Sequence, residues 1–560
     1  MRKSTGFALL SIFLVAVLLR FLPLSRYLYW GADFGEYFFL TRELIVNGHI
    51  SLTYRGWGFT YPYFPGIVFL NAILGLTGAS LPASVALVST FLASLSVFPI
   101  FLLGRNLYHE DSAGLIAAGI AAVAFPAVYT TSHAVPGSVG DLLFASCLLL
   151  FVKAHSNVKV YYLLYPISMG LVITHHLSTY FLIIALIAAV FFREIISRKS
   201  DSRSLGLSII FLSFLTFLSF LYWVTYAIPF RDAILSKVQG SWWGVVLSFL
   251  LAMTILFVLV KIRRRMKWRY RPRYPDLKSR LRFLAFGFLL TYLIMVIVVF
   301  LAVPGTTIQL DISAFYFFTP LMMVFAFAFA GGRFSEFSQR GFDPSSWFLA
   351  LSLSLLFGAA FASDVIVPYR HLQYMIPSLA LIGGLGISRI SGLLGATGKR
   401  GRIFAATMIV ALMISMAATS YPPRTILAGH QEGIEARLVS AAHFSEVHVQ
   451  GLVASDHRVS TILFGFGKAN ATWDTAPDSL LANSFAEALP EMEEVDTPSG
   501  RKRVDFVLID SDLEKGAMLH PWDPAPALSE NALEKFEERP YMKFFDNGYT
   551  RLYYVNWGLA

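Results

Sequence analysis

The chain has 560 residues, of which 56% are hydrophobic and only 14% are charged. That much apolar surface excludes a soluble protein of this length and predicts a polytopic membrane protein. The net charge of +10 lies mainly in short loops between apolar stretches, which is the positive-inside pattern. No nucleic-acid partner is therefore expected, and the single cysteine, Cys147, excludes a disulfide framework.

Thirteen apolar stretches are long enough to cross a bilayer, by the rule of roughly 20 residues per helix. A shorter stretch, Gly66 to Ser80, is broken by glycines and is predicted to lie at the interface. The basic segment 261–282 carries eleven Lys or Arg and one Asp, which favours a cytoplasmic position. The spans are predicted at 7–24, 82–104, 113–131, 138–152, 160–174, 179–192, 205–228, 243–260, 283–304, 312–331, 346–363, 372–388 and 403–420.

This topology places the long first loop, residues 25–81, on the outer face. The loop opens with Trp30-Gly-Ala-Asp33-Phe-Gly-Glu36-Tyr37. Carboxylates at a membrane edge are costly, so Asp33 and Glu36 are functional candidates. Asp-x-x-Glu is also a capping box, with Asp33 as N-cap of a helix that runs to Gly48. The two interpretations are compatible.

Further polar residues fall at the outer ends of later spans. Asp141 opens the fourth span, where it is either functional or an N-cap. His175 and His176 end the fifth span; one could serve structure while the other faces a cavity. Arg370 precedes the twelfth span, where it either snorkels to lipid head groups or binds a phosphate. The topology collects all of these residues on one membrane face.

The chain changes character after residue 420. Pro422-Pro423 breaks the last helix, charge rises and alternating patterns appear. Gly451–Ser455 and Val504–Ile509 are predicted strands, and Lys543–Val555 is a predicted hairpin about Asn547-Gly548. We therefore predict a transmembrane domain over 1–420 and a small extracytoplasmic α/β domain over 421–560. Asn470-Ala-Thr472 is a glycosylation sequon if that domain lies outside.

These motifs resemble those of the GT-C glycosyltransferases, integral-membrane enzymes that use polyprenyl-phosphate-linked sugars. The resemblance covers the whole chain and includes a histidine pair common in archaeal members. The resemblance implies the GT-C fold, with about thirteen transmembrane helices and a C-terminal α/β domain. It rests on the acidic motif at Asp33, Tyr61-Pro-Tyr-Phe-Pro65, Gly137-Ser-Val-Gly-Asp141, His175-His176 and Tyr369-Arg370-His-Leu-Gln-Tyr-Met-Ile-Pro377.

One family motif is not matched. Oligosaccharyltransferases in this superfamily carry Trp-Trp-Asp-Tyr-Gly in the soluble domain, and the nearest string here is Ala471-Thr-Trp473-Asp474-Thr. A single-sugar transferase similar to the protein O-mannosyl or lipid A aminoarabinose enzymes therefore fits better. Oligosaccharyltransferase-like transfer to protein remains an alternative. So does a transporter or flippase for a lipid-linked sugar, although no internal repeat is present.

The resemblance implies a sugar transfer with inversion, from a polyprenyl (dolichyl) phosphate-linked donor to an acceptor on the outer face. Asp33 would be the general base, and Arg370 with His175 and His176 would bind the donor phosphate. Glu36 and Asp141 would orient the substrate. Asp33 and Asp141 would also be the ligands of a divalent metal, Mg²⁺ or Mn²⁺. The expected partners are the lipid-linked donor, membrane lipids and an acceptor that the sequence does not identify.

Overall fold

The structure is a computed structural model. The predicted span at 243–260 and most of the basic segment 261–282 lie outside the residues that it describes. These residues are 3–196, 202–238, 254, 276–302, 309–335, 342–361, 370–427, 429–474, 477–497, 500–516 and 526–559.

Helices dominate the described part of the chain as far as residue 418. Nine helical spans in this part are long and apolar enough to cross a membrane, and one of them, Leu81–Tyr108, consists of two successive helices. The pair Asp111–Val123 and Phe125–Thr131, bent by 53°, makes a tenth if it is one span. The multi-pass helical architecture is therefore confirmed, whereas the predicted number of thirteen is not. The helices are α1 (Lys3–Phe21), α2 (Phe34–Asn47), α3 (Gly66–Leu76), α4 (Leu81–Ser94), α5 (Val97–Tyr108), α6 (Asp111–Val123), α7 (Phe125–Thr131), α8 (Pro136–Ala154), α9 (Tyr161–Thr174), α10 (His176–Ile196), α11 (Ser202–Leu221), α12 (Ile228–Val238), α13 (Leu277–Phe300), α14 (Ser313–Ser335), α15 (Phe342–Phe361), α16 (His371–Ala396) and α17 (Lys399–Ala418).

The first loop contains two of these helices. Helix α2 ends at Gly48, whose positive φ of 74° suits a residue without a side chain. This confirms the helix predicted from Glu36 to Asn47. Helix α3 has 11 residues, or about 16 Å at the usual helical rise, which is too short to cross a bilayer. The interfacial position predicted for Gly66 to Ser80 is consistent with this length.

The C-terminal region is built on a mixed five-stranded sheet in the order β4-β3-β7-β9-β8. Strand β3 runs parallel to β4 and β7, whereas β9 is antiparallel to β7 and β8. The three predicted strand regions are confirmed, including the hairpin that turns at Asn547-Gly548. The elements are β2 (Gly433–Ile434), α18 (Ala436–His448), β3 (Leu452–Ala454), α19 (His457–Gly467), β4 (Asn470–Ala471), α20 (Pro477–Leu481), α21 (Phe485–Glu493), β5 (Val495–Thr497), β6 (Gly500–Lys502), β7 (Val504–Asp510), α22 (Glu530–Glu534), β8 (Tyr541–Asp546) and β9 (Thr550–Val555).

The first loop and the C-terminal region share one hydrophobic core. A short strand, β1 (Tyr29–Trp30), pairs antiparallel with β2. Helix α2 packs on α19 so closely that a Cβ added at Gly35 would lie 1.9 Å from the Thr461 carbonyl oxygen. Phe38 of α2 stacks on Phe466 of α19, with ring centroids 4.1 Å apart. The acidic stretch that begins at Trp30 is therefore fixed against the C-terminal region.

Candidate active site

Asp33 occupies the N-cap position of α2, but its side chain does not cap the helix. Its Oδ2 accepts a hydrogen bond from the Tyr61 hydroxyl at 3.0 Å, and its Oδ1 accepts one from His457 Nε2 at 2.9 Å. The side chain is 23% exposed. Because the carboxylate is directed away from the orphan N–H groups of α2, the capping-box interpretation does not account for Asp33.

His457, the first residue of α19, bridges two carboxylates. Its Nδ1 is 2.8 Å from Asp474 Oδ1, and its Nε2 contacts Asp33. Trp57 from the first loop donates from Nε1 to Asp474 Oδ2 at 2.6 Å, and its ring meets the imidazole edge-on at 4.6 Å. The two carboxylates, with His457 and Trp57, thus join the first loop to the C-terminal domain.

The hydrogen bonds determine the charge state of this group. An ionised carboxylate only accepts hydrogen bonds, so both ring nitrogens of His457 must carry protons. Burial alone would lower the pKa of His457, but its hydrogen bonds to Asp33 and Asp474 raise that pKa well above the ordinary value. Burial likewise opposes ionisation of Asp33, yet the His457 hydrogen bond and charge, with Tyr61 and Arg370, lower its pKa. Asp33 is therefore held ionised beside an imidazolium.

Glu36 lies one turn further along α2 and is fully buried. Its Oε1 accepts from the Tyr54 hydroxyl at 2.8 Å, and its Oε2 accepts from the Gly58 amide at 2.9 Å. Burial, with the nearby Asp33 charge, raises its pKa to about 8. These contacts hold the loop that presents Trp57 to the site, so Glu36 positions other residues in this structure.

Arg370 stands immediately before α16 and contributes its positive charge to the Asp33 site. It also acts electrostatically on His175 and His176. His175 is buried, with Nδ1 2.7 Å from the Ser178 hydroxyl, whereas His176 packs against Phe230 at 4.5 Å. The structure therefore brings Arg370 and the histidine pair to one neighbourhood with Asp33, and the two histidines have different environments.

Asp141 is placed differently from the sequence-based expectation. Helix α8 begins at Pro136 with Val135 as N-cap, so Asp141 lies inside the helix and the N-cap interpretation is wrong. Its side chain is buried beside Ser96, Gln373 and the charge of Arg20. These neighbours are not the residues that contact Asp33.

The two carboxylates predicted as metal ligands do not form a common ligand set. Both Asp33 oxygens accept hydrogen bonds, one from an imidazolium, and Asp141 has separate neighbours. Among the described residues, no group of three or more His, Cys, Asp or Glu side chains is arranged to hold a metal ion. These surroundings do not fit Mg²⁺ or Mn²⁺, which prefer several free oxygen ligands.

His457, Asp474 and Trp57 belong to the site but are not among the residues predicted from the sequence. The available signal was positional, because Ser455-Asp456-His457 follows the carboxyl end of the predicted strand at 451–455. Side chains at the carboxyl ends of parallel strands often form sites. Asp474 stands in a string that does not match the oligosaccharyltransferase motif, so no motif marks it as a site residue.

Comparisons with known proteins agree with this architecture. Residues 65–223 match the family model described as dolichyl-phosphate-mannose-protein mannosyltransferase. No curated protein matches the chain. The fold is similar to archaeal oligosaccharyltransferase AglB from Archaeoglobus fulgidus in complex with an inhibitory peptide and a dolichol-phosphate. That match has a TM-score of 0.61 and 15% identity, and covers 91% of this chain and 70% of that chain.

Two further structures of the Archaeoglobus fulgidus oligosaccharyltransferase also match. The apo form gives a TM-score of 0.60 at 15% identity, covering 92% of this chain and 70% of that chain. The complex with Zn and sulfate gives a TM-score of 0.57 at 15% identity, covering 90% of this chain and 68% of that chain. The family match over residues 65–223 and the shared fold agree with the resemblance predicted from the motifs, and the chain has the fold of the Archaeoglobus fulgidus oligosaccharyltransferase.

Proposed function

We propose that the protein transfers a sugar from a polyprenyl (dolichyl) phosphate-linked donor to an acceptor hydroxyl, with inversion at the anomeric carbon. The reaction takes place at the outer membrane face, where Asp33 lies. The observation that carries the proposal is the half-buried, ionised Asp33 carboxylate, held by Tyr61 and His457 within the field of Arg370.

Asp33 acts as the general base. The acceptor oxygen bonds to the anomeric carbon while the bond from that carbon to the phosphate oxygen breaks. The acceptor proton passes to Asp33, and the phosphate leaves on its lipid. A carboxylate has about four acceptor positions, and two of them are occupied here, so Asp33 can still accept the hydroxyl proton. Removal of a general base typically costs about 10²–10⁴ in rate.

Arg370 binds the donor phosphate, with His176 beside it. The guanidinium neutralises negative charge that grows on the phosphate oxygen as the sugar departs, and fixed donors of this kind usually contribute more to catalysis than any other single effect. His176 is only partly buried and packs between Phe64 and Phe230, where it can contact a lipid-linked group. His175 supports the site through Ser178 and Tyr374.

A single-sugar donor is favoured over an oligosaccharide donor. The string Ala471-Thr-Trp473-Asp474-Thr does not match the oligosaccharyltransferase motif Trp-Trp-Asp-Tyr-Gly, and Asp474 instead contacts His457 and Trp57. The family match over residues 65–223 points the same way. The AglB structure that shares the fold is described with an inhibitory peptide and a dolichol-phosphate, which supports a lipid phosphate in the same fold. It also keeps oligosaccharyltransferase-like transfer as the second candidate.

A transfer assay tests the proposal, in which the purified full-length protein is incubated with radiolabelled dolichyl-phosphate mannose. Separate reactions contain a Ser/Thr peptide, a sequon peptide or a lipid extract as acceptor. We expect labelled product and free dolichyl phosphate in one of them, with the Asp33→Asn variant inactive. Movement of the labelled lipid across proteoliposomes without bond formation would instead identify a transporter.

A further inference from the structure

A second polar cleft, with a volume of about 780 Å³, lies away from Asp33. It is formed where α6, α13, α16 and α17 meet, and it opens to the surface of the described part of the chain. Its charged lining residues are three arginines and one acid, namely Arg280, Arg389, Arg402 and Glu110. Positive charge therefore predominates in this cleft.

Two of the arginines have N–H groups that can donate hydrogen bonds to a ligand. Arg389 pairs through Nη2 with Glu110 at 2.6 Å, but its buried Nε has no hydrogen-bond partner among the described residues. Arg402 is exposed, and no hydrogen bond or ion pair to another described residue is seen for its guanidinium. A buried donor without a partner is costly, whereas a guanidinium matches a phosphate group with two parallel hydrogen bonds. Both observations point to a bound oxyanion.

The cleft is separated from the active site by about one membrane thickness. Arg370 and Arg389 stand near opposite ends of α16, 19 residues apart, or about 28 Å at the helical rise. The hydrocarbon core of a bilayer is about 30 Å thick. Ala405, Ala406 and Ile409 of α17 line the cleft with apolar groups, and only 17% of the spanning window of α17 is buried within the described part of the protein. A ligand there can reach the lipid phase.

We propose that this cleft binds the phosphate head group of an anionic phospholipid, in the leaflet opposite to the one that Asp33 faces. Arg402 and the free Nε–H of Arg389 hold the phosphate oxygens, and the first acyl carbons lie against α17. Basic pockets between transmembrane helices are known to bind anionic lipid head groups. The site is independent of the sugar-transfer reaction.

Native mass spectrometry of the full-length protein tests the site, with phosphatidylglycerol and phosphatidylcholine as the probes. We expect the number of phosphatidylglycerol molecules that remain bound to wild-type protein to exceed the number of phosphatidylcholine molecules by one. Arg402→Gln should bind that lipid about tenfold more weakly, the usual scale for one lost charge-assisted hydrogen bond. Arg400→Gln is the matched control, because Arg400 is exposed in the same turn but does not line the cleft.

Two results would overturn the proposal. Equal loss of lipid in Arg400→Gln and Arg402→Gln would reduce the effect to general surface charge. Complete displacement of phosphatidylglycerol by inorganic phosphate would identify a free-phosphate site without a contribution from the acyl chains. Retention of the lipid in excess phosphate, combined with its loss in Arg402→Gln, supports the lipid site. Arg402→Gln should melt at the wild-type temperature in phosphatidylcholine, which separates lipid loss from misfolding.

Discussion

An asparagine at position 33 can accept one of the two hydrogen bonds that Asp33 accepts and replace the other by a donated one, which makes the base function of Asp33 separable from its structural function. Asp33→Asn keeps an oxygen for His457, while the amide group can donate to the Tyr61 hydroxyl. We expect transfer activity to fall by about 10²–10⁴, with little change in melting temperature. Glu43→Gln, on the same helix, is the control. Wild-type turnover in Asp33→Asn would remove the residue from the chemistry.

Arg370 provides a second test at the scale of one side chain. Arg370→Lys keeps the charge but loses the bidentate geometry, so donor affinity and rate should fall between those of wild type and Arg370→Ala. Titration with a polyprenyl-phosphate analogue measures the affinity of all three forms. If Arg370 only reached toward lipid head groups, lysine would replace it without effect, because both side chains snorkel.

Buried Glu36 should make stability depend on pH. Its pKa of about 8 lies above the ordinary value of 4.5, so the folded protein keeps a proton that the unfolded chain releases. The stability that protonated Glu36 contributes is fully present below about pH 4.5 and is lost as pH rises through about 8. Thermal melts at pH 6 and pH 8.5 should show wild-type protein losing more stability than Glu36→Gln. The pKa of His457 is also raised, so its contribution to stability changes with pH in the same direction, but His457 is present in both proteins. Equal losses of stability in wild type and Glu36→Gln would therefore contradict the prediction.

At the scale of elements, the contact between α2 and α19 depends on two glycines. A Cβ at Gly465 would lie 2.4 Å from the Gly35 carbonyl oxygen, just as one at Gly35 would meet Thr461. The backbones would have to separate, because backbone atoms cannot move aside as a flexible side chain can.

We therefore expect Gly35→Ala to lower the melting temperature, to expose the C-terminal region to limited proteolysis and to reduce activity. Gly206→Ala in α11 is the matched control, since a Cβ there meets no atom of the described residues within 4 Å. Alanine is the better helix former, so the control should be neutral or slightly stabilising. Equal protease sensitivity of the two variants would argue against the close packing.

At the scale of the whole molecule, Asp33 and Arg400 are predicted to lie at opposite membrane faces. We predict that the C-terminal domain is outside and Arg400 inside. In a Cys147→Ser background, an impermeant thiol reagent should label exposed Lys468→Cys in intact cells but not Arg400→Cys. Labelling of Arg400→Cys from outside would invert the topology and place Asp33 on the cytoplasmic face.

The sequence predicted those features that depend on local patterns. Apolar length predicted the helices, and alternation with Asn547-Gly548 predicted the hairpin. The capping-box pattern at Asp33 and Glu36 predicted where α2 begins, but not that both carboxylates would contact other segments. The contact between Asp33 and His457 joins residues 424 positions apart, which no local pattern encodes. The environment of Asp141 escaped prediction for the same reason, since it depends on Arg20 in α1.

The pairing of β1 with β2 has a consequence for biosynthesis. Strand β1 emerges early from the ribosome, whereas β2, His457 and Asp474 are made only after all the described membrane helices. Until then Asp33 has neither its imidazolium partner nor the strand that fixes the backbone beside it. A nascent or truncated chain can therefore occupy the membrane without a complete acid–imidazolium pair, and we expect it to be inactive until the C-terminal region has folded onto the first loop.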